Sequence, residues 1–137
     1  MDDRNSCYTY FKIVGSFDPD KVTVLLELAP ERTHKIGDMR NNGTKYDCAL
    51  WEIGRCSEYD TEVENQMRKT ISLLKDKLSL LERIRQENDV EYFLEIVPTV
   101  YAGETSPCLA PPLDVIDFCH ATRTNIDIDL YVCDSDE

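Results

Sequence analysis

Asn125-Ile126-Asp127-Ile128-Asp129-Leu130-Tyr131-Val132-Cys133 is the stretch whose reading decides the fold. Its apolar residues, Ile126, Ile128, Leu130 and Val132, alternate with Asn125, Asp127, Asp129 and Tyr131. Successive side chains of an extended chain point to opposite faces, so the spacing predicts a strand with one face turned inward and the other wet. A one-sided sheet follows, and antiparallel sheets are the kind that leave one face to water. The rest of the chain must supply the cover for the other face.

Read back toward the N-terminus, residues 113–121 follow Pro111-Pro112. Proline is preorganised for a first helical turn, so a short helix is predicted there. Residues 98–112 carry prolines and read as a loop, and residues 90–97 form a strongly β-prone run. Upstream, Val63, Met67, Ile71, Leu74, Leu78, Leu81 and Ile84 recur in steps of three and four, with Asp60 placed to cap the stretch. That is the signature of an amphipathic helix. Lys75-Asp76-Lys77 interrupts the leucines while the stripe stays in phase, so one long helix and two short ones are both open.

Residues 33–38 and 45–53 flank Asn41-Asn42-Gly43, whose Asn and Gly tolerate the positive φ of a tight turn; a β-hairpin is predicted. Asp18-Pro19-Asp20 combines a capping carboxylate, a proline at the first helical position and an early acid. The helix it starts has Val22, Leu25, Leu26 and Ala29 as its apolar face, with Pro30 as its expected stop. Residues 8–14 are aromatic and β-branched and end at Gly15, which predicts the first strand. Tyr10-Phe11-Lys12-Ile13-Val14 before one Pro-led helix echoes Tyr92-Phe93-Leu94-Glu95-Ile96-Val97 before another. The expected fold is α+β: a two-layer sandwich of a mainly antiparallel sheet with helices on one face, ferredoxin-like, with duplicated β-α-β halves as the arrangement the echo suggests.

A chain of 137 residues that is 42% hydrophobic and 31% charged suits one ordered domain over 1–137, with its core within about 7–133 and a short acidic tail. Its net charge is -12, from 15 Lys plus Arg against 27 Asp plus Glu. Such a field repels phosphate backbones and anionic lipids, so nucleic acid and membrane are not expected partners, whereas a basic protein would be attracted. Met1-Asp2-Asp3-Arg4 has no apolar signal core, and no apolar run is long enough to span a bilayer; a cytoplasmic location is the expectation. The Asn42-Gly43-Thr44 sequon would then carry no glycan and is read as part of the turn. Cys7, Cys48, Cys56, Cys108, Cys119 and Cys133 form no C-x-x-C or C-x-x-H pair, so free thiols, no metal and no cofactor are expected.

The closest approach to a thiol or metal site is Cys119-His120 with Cys108. Helix neighbours point about 100° apart and rarely share a ligand, so Cys119 is expected in the core and His120 in water. His34 is expected to be an exposed imidazole. Glu91, Glu95, Asp127 and Asp129 could meet across neighbouring strands, but without a further catalytic group a solvated sheet face outweighs an acid–base or metal site. Trp51 reads as core rather than as an interface anchor. The helical stripe through Ile71, Leu74, Leu78 and Leu81 spans only about two heptads, which favours packing on the sheet over a coiled coil.

Tyr10-Phe11-Lys12-Ile13-Val14-Gly15, the Asp18-Pro19 helix start, Leu50-Trp51-Glu52-Ile53 and the closing Ile126-Asp127-Ile128-Asp129-Leu130-Tyr131-Val132 resemble a bacterial family known as domain of unknown function 4279. The resemblance spans nearly the whole chain. It implies bacterial origin and a stand-alone domain, and it carries no catalytic residues.

Absent a catalytic constellation, the leading expectation is a non-enzymatic domain that binds another protein, immunity- or antitoxin-like by analogy only, with Tyr10, Phe93, Glu95, Asp127, Asp129 and Tyr131 as the partner-binding residues. The alternatives are a small ligand-binding domain or hydrolase using the carboxylates or the loop at residues 98–112, and a structural dimerisation module. Both monomer and homodimer are open.

Overall fold

Residues 6–16 alternate between core and surface because every second side chain, Cys7, Thr9, Phe11 and Ile13, is small or apolar enough to be covered. They form β1 (Ser6–Ser16), the strand on which the sheet is built. This computed structural model describes residues 4–58 and 62–134, so the cap expected at Asp60 lies outside the described residues. The further elements are α1 (Pro19–Leu26), β2 (Arg32–His34), β3 (Ala49–Glu58), α2 (Val63–Ser72), α3 (Leu78–Glu87), β4 (Asp89–Tyr101), α4 (Leu113–Thr122), β5 (Thr124–Ile128) and β6 (Tyr131–Cys133).

The six strands make one open sheet in the order β2-β3-β1-β4-β5, with β6 also on β4. β1 is antiparallel to both β3 and β4, and β2 is antiparallel to β3, whereas β5 and β6 run parallel to β4. The fold is therefore α+β, with four helices packed against a mainly antiparallel sheet. The two expected β-α-β halves pair in different ways: β4-α4-β5 makes a parallel crossover, while β1 reaches β3 through α1 and β2 and meets it antiparallel.

One core lies between sheet and helices. Phe11, Ile13, Trp51, Ile53, Tyr92, Leu94 and Ile96 from the strands meet Val22, Leu26, Met67, Leu74, Leu81 and Phe118 from the helical side. Fully burying each such side chain contributes roughly 1.5–3 kcal/mol, which makes this layer the main source of stability. Polar groups inside it are paired: Trp51 Nε1–H donates to Thr23 Oγ1 at 3.0 Å, and the Tyr92 hydroxyl donates to the Leu81 carbonyl at 2.6 Å. Trp51 is thus a core residue. The stripe of Val63, Met67, Ile71, Leu74, Leu81 and Ile84 faces this core, but Leu78, expected in the same stripe, is exposed, because the helix is broken in two at residues 73–77, where three-residue turn bonds from Leu74 to Ile71 and from Lys77 to Leu74 interrupt the helical ladder. No described helix is long and apolar enough to cross a membrane.

Several boundaries differ from the sequence reading. Asp18 caps α1 as expected, accepting from the Asp20 N–H at 3.0 Å. The helix ends earlier than Pro30, because Glu27 turns left-handed at φ 55. The hairpin is present but splayed: β2 pairs with β3 only from Arg32 to His34, and the tip is closed by Met39 bridging Lys45 and by the Arg40 N–H donating to the Thr44 carbonyl at 2.7 Å. β4 runs through Pro98 to Tyr101, so its last residues belong to the sheet instead of the expected loop.

The closing strand is split, and Pro98 explains the split. The Asp129 N–H donates to the Ile96 carbonyl at 2.8 Å. In a parallel ladder the Asp129 carbonyl would then accept from residue 98, but proline has no N–H to give. Pairing lapses there and resumes in the same register, Ile96 opposite Ile128 and then Thr99 opposite Tyr131. The inward face expected of this strand is also incomplete. Ile126 packs on the core, but Ile128, Leu130 and Val132 are 42%, 51% and 70% exposed, because the strand forms the sheet margin beyond the cover of α4.

Candidate functional site

With every described helix on one side, the other side of the sheet is, among the described residues, a continuous surface built by alternation. Tyr8, Tyr10, Lys12 and Val14 of β1 stand on it with Phe93, Glu95 and Val97 of β4 and with Asn125 and Asp127 of β5. The pairing register sets the rows. Glu52 faces Lys12, which faces Phe93, which faces Asn125; in the next row Tyr10 faces Glu95, which faces Asp127.

Lys12 organises the centre. Its Nζ lies 3.2 Å from Glu95 Oε2 and 5.3 Å from the centroid of the Phe93 ring. A cation over a ring face and beside a carboxylate is held by both. Glu95 is only 4% exposed, and its pKa is raised, first by burial and then by the Asp127 carboxyl beside it, against the opposing pull of Lys12. Burial also raises Glu52, opposed by Arg32 at 3.8 Å. The Tyr10 hydroxyl is pushed up to about 12, chiefly by burial and then by Glu52 and Glu95.

A second cluster sits alongside. The rings of Tyr8 and Tyr10 stack at 6.1 Å, and the Arg55 guanidinium lies 3.9 Å from the Tyr8 centroid. Arg55 reaches that place through a β-bulge, since pairing shifts between Thr9–Cys56 and Phe11–Ile53 and leaves two β3 residues opposite Tyr10. Gly54 makes the bulge feasible at φ 78, and a Cβ there would come within 3.0 Å of the Thr70 side chain. The Thr70 hydroxyl also donates to the Gly54 carbonyl at 2.7 Å. The sequence analysis did not find Arg55; the signal that could have found it was a glycine inside a β-prone run.

Of the residues singled out from sequence, Tyr10, Glu95 and Asp127 share one row and Phe93 lies in the next. Tyr131 and Asp129 continue the acidic margin, the Tyr131 hydroxyl donating to Asp129 Oδ2 at 3.2 Å. Glu91 is exposed and lies beyond this group, opposite Val14. Cys119 is in the core, where burial pushes its thiol up to about 11, while His120 and Cys108 are exposed. His34 departs from the expected exposed imidazole: it stacks on Tyr46 at 3.5 Å, its Nδ1 has no hydrogen-bond partner, and burial lowers its pKa. Among the described residues no group of three or more His, Cys, Asp or Glu is placed to hold a metal ion. A groove of about 880 Å3 lies on the covered side, where Glu82 of α3, Ile116 and His120 of α4 and Ile126 of β5 meet.

The surface thus sets aromatic rings, two cations and a run of carboxylates side by side on one sheet face. Comparison with known proteins finds a match over residues 5–133 to a family described as Domain of unknown function (DUF4279). No curated protein and no solved structure matches the chain.

Proposed function

We propose that this chain, which belongs to the DUF4279 family, is a non-enzymatic protein-binding domain whose open sheet face receives a basic partner. The observation that carries the reading is the open face itself: Tyr8 under Arg55, Tyr10 stacked on Tyr8 and Phe93 under Lys12 stand half-buried on it, with Asp127 and Asp129 along one margin. Aromatic rings pinned by neighbours lose little freedom on docking, which is why such groups supply most of the energy in protein interfaces. A net charge of -12 adds attraction for a basic protein and speeds its encounter. The role is of the kind immunity and antitoxin-like proteins fill.

A second reading, a small ligand-binding domain or hydrolase, draws on one observation, the raised pKa of Glu95 beside Asp127. A buried carboxyl with a second carboxyl beside it can do acid–base work. Glu95, however, is already engaged by Lys12, which favours docking.

Affinity capture from native lysate with wild type and with a Tyr10→Ala/Phe93→Ala variant tests the proposal. A protein retained by wild type and lost by the folded variant is the expected result. Its association with Asp127→Lys/Asp129→Lys should then be slowed most at low salt, since exposed charges are screened over about 8 Å at physiological ionic strength. Equal retention by wild type and the Tyr10/Phe93 variant, or a ligand-induced thermal shift abolished by Glu95→Gln, would defeat it.

A further inference from the structure

The two margins of the sheet are unlike. At one, β2 contributes only three residues, Arg32, Thr33 and His34, and the chain then leaves for the hairpin tip; a short charged strand of this kind is a poor template for further pairing. At the other, β5 and β6 continue one register from Thr124 to Cys133. The backbone there follows the parallel alternation: the Asp129 N–H is turned to Ile96, and the Cys133 carbonyl accepts from Ala102 at 3.0 Å. The odd residues thus face β4, and the even ones, Ile126, Ile128 and Val132, present their N–H and C=O groups to the free side.

The same even residues carry the exposed apolar side chains of Ile128, Leu130 and Val132 on the helix side, continuous through Ile126 with the groove beside α4. Asp127 and Asp129 stand on the opposite side, exposed. An extended segment added here would place one set of its alternating side chains beside isoleucine and leucine and the other set beside aspartates. Resting on the protein-docking reading, we infer that the partner adds a β-strand along the free margin of β5 and β6, and that this strand alternates apolar residues with Lys or Arg.

Charge decides against a second copy of this chain. Self-pairing along this margin would set Asp127 and Asp129 against their counterparts in a chain of net charge -12, and like charges across a pair are destabilising. The same two carboxylates that disfavour self-pairing select a basic strand, as peptide-binding sheet edges gain affinity from the main chain and specificity from alternate side chains.

A fluorescein-labelled peptide alternating valine and lysine, and one alternating glycine and lysine with the same charge, are titrated against the full chain by fluorescence anisotropy. The valine–lysine peptide should bind at least about tenfold tighter, since the shared charge cancels and only the apolar and strand-forming terms remain. Ile128→Pro removes an outward donor and should erase that difference while the unfolding midpoint holds. Ile128→Lys, which keeps every donor, serves if the proline variant fails to fold, and should weaken the valine–lysine peptide by a similar factor. Amide exchange at Ile126 and Ile128 should slow on binding in wild type. Equal affinity for the two peptides, or valine–lysine binding indifferent to both variants, overturns the inference; so does a concentration-dependent dimer in sedimentation that Ile128→Pro abolishes. If these fail while a captured partner still depends on Tyr10 and Phe93, strand addition falls and the docking function stands.

Discussion

Leu94 and Glu95 are consecutive on β4 and both are buried, yet they live in different chemistry. Leu94 lies under the helices, opposite Phe11 and Ile126. Glu95 lies on the uncovered side, held by Lys12 and crowded by Asp127. One face of the sheet is excluded from water by other secondary structure; the other shields its own centre with neighbouring side chains, Lys12 among them. The difference teaches that burial alone does not identify a core.

Leu94→Ala should show the largest contrast, losing about 2–5 kcal/mol as a cavity opens between sheet and helices, read from urea unfolding midpoints. A loss under about 1 kcal/mol would mean that the helical cover is loose and the two faces are alike.

Lys12→Met comes next. It leaves Glu95 buried without its counter-charge, and because Lys12 is itself 25% exposed the cost is set at about 1–3 kcal/mol, below that of a fully buried pair. Lys12→Met with Glu95→Leu should recover most of the loss, since an apolar pair of similar volume needs no desolvation. A double variant no better than the single one would show that the pair itself holds the face together.

A smaller effect is expected with pH. The Glu95 pKa is raised above its ordinary value of 4.5, so the folded chain binds that proton more tightly than the unfolded one. Its contribution to stability is fully present below 4.5 and is lost as pH rises through the folded value. The stability of wild type relative to Glu95→Gln should therefore increase as pH falls from neutrality into that window, measured by paired urea titrations. A difference independent of pH would place Glu95 in ordinary solvent.

The smallest loss belongs to the margin: Asp127→Lys/Asp129→Lys should cost no more than about 0.5 kcal/mol of stability, because both residues are exposed and Asp127 repels the buried Glu95. Calorimetry showing a loss of several degrees would give these aspartates a structural role.

Much of this was legible beforehand for definite reasons. β1 and the core of β4 announce themselves by alternation and β-branching, α1 by its Asp18 cap, and α4 by the prolines before it. The aromatic and acidic residues of the open face were found because residues two apart on a strand share a side. The cluster of Arg55 over Tyr8 was not found, since a bulge changes which residues share a side and its glycine has several other uses.

The sequence by itself determined the class of fold, the cap of α1, the interior place of Trp51 and the two-sided character of the closing strand. Those follow from local spacing, and local spacing is written in the chain. Tertiary structure alone decided that β1 lies between β3 and β4, that the helix breaks at residues 73–77, and that the closing strand is a margin whose apolar side stays largely open. Alternation states that a strand has an apolar side, but whether anything covers that side depends on where the strand falls in the sheet. Here the closing strand falls at the free edge, and Pro98, distant from it in sequence, interrupts it through a missing N–H on its neighbour.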